Sequence, residues 1–493
     1  MKTKRSLAAL LALLLLFATA CGGGKITPAE TEPATTAESA DTAETKEAVL
    51  RDASGFAAGY GRGDITPASS VPLQGYGKVE TRMSNRVLDK LYATCVAFSD
   101  GETKALIFSI DVSTISERIQ KSTRAALSRQ TGIPEDLISF TATHTHSGPA
   151  VNSASDEIEN YYGTFFRGVL SAAKDALADL DRAELSWGTA KTDRLNFVRR
   201  YLLADGSYSQ NNSGDYPSPI VAHETEADPE MRILYVKRTN GKDIVLVNWQ
   251  AHPTFTGGES VTDISADIVG AFRSEAEKDL GVRFAFFQGA AGNLDAKSHI
   301  PGETRTTNYK EHGKLLCETL KEGLGHLTPV ASGRIRSLRR VFTGTVNHAE
   351  ETPERVAQAR EVARALEKSF DDARRAAAKY NFANFYSATA LLARMTMGAT
   401  QDMELYAFAI GDFAFATSPF EPFDTNGMEL RSASPFACTM NFGYSNGHFG
   451  YVPSAFGFEH RGYEGTTTRF VGGTGEQVVA VQLEMLQALK DNP

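Results

Sequence analysis

Residues 137–149 read LISFTATHTHSGP. The first seven form a short apolar run, the length and type of a buried strand. Directly behind it sit His144 and His146, one residue apart among threonines and a serine. If the strand continued through them, its alternation would turn both imidazoles to one side. Such a pair suits a metal site, an acid–base pair, or two polar residues on a solvated sheet face, and the stretch alone leaves all three open.

Working outward, the same pattern recurs. TKALIFSIDVS (103–113) reads as a buried strand, followed by ERIQKSTRAALSRQTG with helical periodicity and a glycine stop. After the histidines comes a long helical segment, IENYYGTFFRGVLSAAKDALADL. DIVLVNWQ (243–250) is a third buried run, then ADIVGAFRSEAEKDLG, a helix expected to be capped by Ser265 or Asp267. VRFAFFQ is a fourth strand, closed by the turn GAAGN. Strands alternating with helices predict a mixed α/β fold, β-sheets flanked by helices in one large domain. Further on, residues 351–381 turn Ala-, Arg- and Glu-rich and predict a mostly exposed helical excursion. Apolar runs on either side of Gly411-Asp412 predict a hairpin. The Gly- and aromatic-rich stretch 436–468 reads as a strand with long ordered loops, which are usually functional.

The start of the chain addresses it. Lys2, Lys4 and Arg5 precede LAALLALLLLFATA and then Cys21, the layout of a secretory signal over 1–20. The Ala-Thr-Ala-Cys ending resembles a bacterial lipobox, which implies lipidation of Cys21 and an extracytoplasmic, membrane-anchored protein. Residues 21–54 carry almost no large apolar side chains and predict a solvated tether, so the catalytic domain is expected over 55–493. Cys95, Cys317 and Cys438 are far apart and odd in number, which favours buried free thiols. A formal net charge of −9 leaves no electrostatic footprint for nucleic acid.

Uncommon polar residues stand just past the buried runs: His144 and His146, His252 after DIVLVNWQA, and Glu421 in ATSPFEPF. Imidazoles with a carboxylate suit zinc with an open position for water. Each residue alone is more simply a hydrogen-bonded loop residue, and spacing does not show that they converge.

The ordered set GYGRGDITP…LQGYG, THTHSGP, NWQAHPT, FFQGAAGNLD, SPFEPF and GYVPS…RGYEG resembles the neutral/alkaline ceramidase family, from about residue 57 onward. The resemblance implies zinc ligands at His144, His252, Glu421 and Tyr451, with His146 and Tyr463 shaping the reaction centre. Arg199 or Arg200 matches the arginine that helps place the substrate. A tyrosine on zinc would be at least partly ionised, a shift the cation supplies. The hydroxyls of Thr143, Thr145 and Ser147 are expected to fix the imidazole tautomers, and GAAGN to offer backbone donors.

Two departures bear on function. Where the family has a serine proposed as nucleophile, this chain has Asp295 in AGNLDAK; Ser298 comes three residues late and does not inherit the role. A carboxylate there can orient or deprotonate water, or simply cap the turn. The family's C-terminal β-sandwich module is also not expected within this sequence. The resemblance therefore implies a zinc-dependent hydrolase cleaving an N-acyl bond of a lipid or small molecule through activated water. The alternatives are a same-fold metal hydrolase acting on another bond or substrate, and a ligand-binding surface lipoprotein with a non-catalytic metal site.

Overall fold

The computed structural model describes residues 55–76, 82–209, 216–258, 260–331 and 333–492. The leader (1–20), Cys21 and the tether expected over 21–54 lie outside the described residues.

The main sheet contains β1 (Ala57–Asp64), β2 (Tyr92–Ser99), β3 (Lys104–Ile110), β4 (Ile138–Ala142), β5 (Asp181–Lys191), β6 (Glu230–Arg238), β7 (Ile244–Trp249) and β8 (Arg283–Gln288). Their order is β8-β7-β6-β5-β1-β2-β3-β4, with the short strand Thr328–Pro329 beside β5. A second sheet runs β9 (Ile335–Thr345), β10 (Thr400–Ile410), β11 (Phe413–Thr417), β12 (Cys438–Phe442). The helices used below are α1 (Glu117–Thr131), α2 (Asp156–Ala178), α3 (Asp267–Leu280), α4 (Tyr309–Leu324), α5 (Pro353–Lys368), α6 (Phe370–Lys379), α7 (Phe385–Arg394), α8 (Asp424–Ala433), α9 (Gly462–Thr467) and α10 (Thr474–Asp491).

The sheets stack face to face. Ile107, Leu246 and Phe287 of the main sheet share one core with Phe408, Phe415, Met440 and Phe442 of the second. The Phe287 and Phe442 rings lie 4.4 Å apart and nearly parallel. Alternate residues of β3 and β4, such as Phe108 and Phe140, point outward to Phe165 and Val169 of α2. Phe284 and Phe286 of β8 meet α3 and α4 through Phe272 and Leu316. The outer face of the second sheet is covered by α10 through Met485 and Leu486. The result is a helix–sheet–sheet–helix sandwich. Because both faces of the central strands are buried, their sequences read as unbroken apolar runs instead of alternating ones. Each ring so buried contributes roughly 1.5–3 kcal/mol.

Three pairs of parallel strands are joined by helices: β3-α1-β4, β7-α3-β8 and β11-α8-β12. α1 stops at Gly132, whose φ of 73° places its N–H on the Ser128 carbonyl. α3 departs from expectation: its N-cap is Ala266, without a side-chain cap. Ser265 Oγ instead accepts from the Asp267 N–H at 2.9 Å. The expected hairpin forms between β10 and β11, and Gly411 takes the positive φ of 58° that the turn requires.

The helical excursion is longer than predicted. α5 and α6 lie within 351–381, and α7 continues it to Arg394. It has its own core of Val356, Val362, Phe382, Phe385 and Leu391. Cys95, Cys317 and Cys438 are buried free thiols. Among the described residues, no helix is long and apolar enough to cross a membrane.

Candidate metal centre

The C-terminal ends of the parallel strands deliver the site, as expected where crossover helices leave one sheet edge free for loops. β4 ends at Ala142, so the two histidines follow the strand and do not belong to it. His144 sits at φ 67°, an uncommon backbone conformation for a residue with a Cβ. Strand alternation therefore does not orient these rings. They are placed by the turn, 4.9 Å apart and edge-on.

Around them the long-range partners close in. His144 Nε2 lies 3.2 Å from Glu421 Oε2, and His252 Nε2 lies 3.3 Å from the same oxygen. His146 Nε2 is 3.2 Å from His144 Nε2. The ring nitrogens of His144, His146 and His252 fall within 4.8 Å of one another. His144 and His252 are 3% and 0% exposed, so water does not satisfy them.

The tautomers are set by main-chain carbonyls, not by the neighbouring hydroxyls as predicted. His144 Nδ1 donates to the Ser113 carbonyl at 2.8 Å. His252 Nδ1 donates to the carbonyls of Ala291 (2.8 Å) and Leu294 (3.0 Å). Thr145 Oγ1 is spent on the Ser265 carbonyl and Ser147 Oγ on that of Thr256, while Thr143 Oγ1 has no partner. With both Nδ1 atoms donating, the two Nε2 lone pairs face the Glu421 carboxylate. His252 Nε2 and Glu421 Oε2 are buried without a hydrogen bond. Two imidazole lone pairs and a carboxylate oxygen at this spacing repel one another, and a bound cation resolves the conflict. The donor set fits a metal ion.

Electrostatics agree with the geometry. Burial pushes the His252 imidazole down to about 4, helped by the Arg199 charge, so it stays neutral with its lone pair available. Burial opposes ionisation of Glu421, but the neighbouring imidazoles, His144 foremost, hold its carboxyl well below the usual carboxylate range. Burial, then the neighbouring His144 and His252 imidazoles, holds the His146 imidazole well below its ordinary value.

The aromatic pair arrives from the last loops. Tyr451 is the register partner of Glu421 in a two-residue parallel pairing. Its hydroxyl accepts from Arg199 Nη2 at 3.1 Å. Tyr463, in α9, packs edge-on against Tyr451 with ring centres 5.4 Å apart. Burial raises both phenols, that of Tyr463 with help from Tyr386. Of the two candidate arginines, Arg199 reaches the centre. It also bonds Glu464 at 2.9 Å and the Gly292 carbonyl at 3.0 Å. Arg200 does not reach it: its guanidinium is held by Glu224, Glu464 and the carbonyls of Gly457 and Arg461.

Asp295 stands at the rim, half-buried, paired with Phe197 on one side and bridged to His252 on the other. Its Oδ1 accepts from Thr254 Oγ1 at 2.9 Å. Ser298 is occupied elsewhere, donating to Glu303 at 2.6 Å. The turn 289–293 serves the fold more than the site. The Gly289 and Gly292 N–H groups bond the carbonyls of Trp249 and Pro422, so they are not spare donors as the sequence suggested. A Cβ on Gly292 would lie 2.4 Å from the Glu421 carbonyl oxygen, so this close approach requires glycine. Asn293 ties the same turn to the carboxylate's loop, donating to Asp424 Oδ1 at 2.7 Å and accepting from its N–H at 2.9 Å.

Two residues at the centre were missed from sequence. His448 Nε2 donates to Glu421 Oε1 at 3.0 Å. Tyr444 lies against the His144 ring at 4.1 Å. Both sit in the glycine–aromatic run YSNGHFGY (444–451), which ends at Tyr451. The available signal was an imidazole in a loop already marked as functional.

With this geometry in place, comparison with known proteins is informative. Residues 56–295 match the family described as neutral/alkaline non-lysosomal ceramidase, N-terminal. The neutral ceramidase of Pseudomonas aeruginosa is 26% identical over 278 residues, covering 52% of this chain and 40% of that protein. The match thus spans less than half the length of that curated relative. Crystal structures of a ceramidase complexed with C2 and of neutral ceramidase from Pseudomonas aeruginosa share the fold. Each has a TM-score of 0.67 at 19% identity, covering 89% and 90% of this chain and 76% and 75% of theirs. Over residues 56–295, the chain is thus similar to the neutral/alkaline non-lysosomal ceramidase family.

Proposed function

We propose that this chain is a zinc-dependent amidohydrolase that cleaves an N-acyl bond, of a ceramide-like lipid or a related small amide. The observation that carries the reading is the approach of His144 Nε2 and His252 Nε2 to within 3.3 Å of Glu421 Oε2, buried, with both tautomers set to present lone pairs. Imidazole and carboxylate donors suit zinc.

His144, His252, Glu421 and Tyr451 would hold the ion, whose chemistry when bound is to polarise the acyl carbonyl and acidify water. His448 keeps Glu421 oriented through its second oxygen. Arg199 donates to the Tyr451 oxygen and favours negative charge there. Arg199 and Tyr463 carry the charge that develops on the carbonyl oxygen, a role worth about 3 kcal/mol per donor. His146 moves the proton to the leaving nitrogen, and Asp295 orients or deprotonates the attacking water. The Asp295 side chain also favours a second reading, the same centre acting on a non-ceramide substrate, because it puts a carboxylate where an acyl-accepting hydroxyl is expected.

Cys21 would anchor the chain to a bacterial membrane on its extracytoplasmic side, with 21–54 as tether and the catalytic domain from residue 55 onward. Metal analysis of the detergent-purified full chain tests the first step. Less than half an equivalent of zinc, unaltered by His144→Ala, would sink it. A fluorogenic panel of N-acyl amides, esters and glycosides, run with and without zinc, tests the bond. Turnover of none of them would leave the ligand-binding alternative.

A further inference from the structure

The helical excursion is fastened to the loop that carries Tyr463, although nothing in its sequence suggests a tie to the site. Ser387 Oγ and Thr466 Oγ1 are 2.7 Å apart and buried. Arg394, 2% exposed, donates to the carbonyl of Thr468 at 2.8 Å and to that of Thr466 at 3.4 Å. These bonds join α7 to α9 at both ends of the shared face. Directly before Ser387 stands Tyr386, whose ring lies edge-on to that of Tyr463 with centres 5.8 Å apart.

The histidines also meet Tyr76, edge-on to His146 at 5.1 Å, with the Arg82 guanidinium 5.1 Å over its face. Arg82 donates to the His146 carbonyl at 3.1 Å and is buried. Tyr386 therefore continues the aromatic row that begins with Tyr451 and Tyr463.

We propose that α5–α7 forms a wall of the substrate site and that Tyr386 is a specificity-determining residue, packing against the acyl chain beside the histidine–glutamate centre. The inference rests on the metal-hydrolase reading only in taking an N-acyl compound as the class of ligand. Aromatic edges complement a hydrocarbon chain, whereas the Asp295 carboxylate at the rim does not. The three-helix excursion, with a core of its own, gives that ring a rigid base.

The test is calorimetric titration of the zinc-loaded full chain with acetyl-, hexanoyl- and dodecanoyl-hydroxamate, none of which requires turnover. Tyr386→Ala is expected to leave the acetyl compound within about twofold of wild type and to weaken the dodecanoyl compound about tenfold. Tyr386→Phe should resemble wild type. An equal change for all three compounds, no change, or no hydroxamate binding to wild type would overturn the proposal. Should Tyr386→Ala not fold, Tyr386→Trp keeps the question open to decision: its dodecanoyl-to-acetyl affinity ratio must move at least about threefold, and an unmoved ratio refutes the wall. Length-dependent binding without turnover of any amide would remove the hydrolase reading alone. Amide turnover with an unmoved ratio would remove the wall alone.

Discussion

Glu421 and Tyr451 face each other as register partners in a two-residue parallel pairing, with Pro422 opposite Val452. One arrives directly after β11 and the other after β12 and a glycine-rich loop, so the carboxylate and the phenol share one backbone support. Their relative position depends on main-chain hydrogen bonds, including the Glu421 N–H to the Gly450 carbonyl at 3.0 Å. Main-chain pairing, and not side-chain rotamers alone, thus fixes how far the carboxylate stands from the phenol.

Glu421→Gln keeps the shape and removes the charge. Zinc content of the purified chain should fall below half an equivalent and turnover by more than about 100-fold. Circular dichroism should remain that of wild type, because loss of a buried carboxylate facing two imidazole lone pairs relieves repulsion in the metal-free state.

His448→Ala removes only the hydrogen bond to the second carboxylate oxygen. Metal affinity, read by competition with a chromogenic chelator, should drop about 10–100-fold, less than for His144→Ala. An unchanged affinity would show that Glu421 is oriented without it.

Arg199→Met and Arg200→Met separate two neighbours with different work. Both leave Glu464 with one cation fewer in a buried network, so both should lose about 3–5 kcal/mol in urea unfolding. Only Arg199→Met should also lower kcat of the folded fraction, by roughly 100-fold. Equal kinetic effects would refute the assignment of Arg199.

Asp295→Asn preserves the Thr254 hydrogen bond and removes the base. Metal content should be unchanged, while kcat falls by about 100-fold or more. Trapping a covalent acyl-enzyme with a slow substrate would count against the water route altogether.

His312 supplies a stability test away from the centre. Buried against Trp249 and Phe255, with Nδ1 3.0 Å from Thr306 Oγ1, its imidazole is pushed by burial from 6.5 down to about 3. Its folded value is depressed, so the charged form is favoured on unfolding. Its contribution is complete above pH 6.5 and is lost as pH falls toward 3. Urea midpoints should show the loss at up to about 1.4 kcal/mol per pH unit, and His312→Gln should flatten it.

Much of the scaffold was legible from residues alone. The unbroken runs that became β3, β4, β7 and β8 have to be strands covered on both faces, and the periodic segments between them have to be helices. The positions of His144, His252 and Glu421 just past apolar runs marked each as a strand-end residue, but not their convergence, since Glu421 follows a strand of the second sheet. The strand reading stopped one step too late at the histidines. Their ring orientation comes from a positive φ at His144 and from carbonyls of Ser113, Ala291 and Leu294, which no local pattern encodes. The choice of Arg199 over Arg200 was likewise out of reach, because adjacent residues differ only in which buried acid or hydroxyl each meets.

Local chemistry along the chain therefore determined the strand and helix types, the α/β class and the kinds of side chain available for a metal. Those properties follow from apolar periodicity and donor type, which are carried by residues close in sequence. The tertiary structure alone decided which donors converge, that main-chain carbonyls set the tautomers, that His448 supports Glu421, and that the helical excursion brings Tyr386 to Tyr463. Each of these is a contact between segments far apart in the chain. Such contacts exist only once the two sheets have stacked and fixed the ends of their strands against one another.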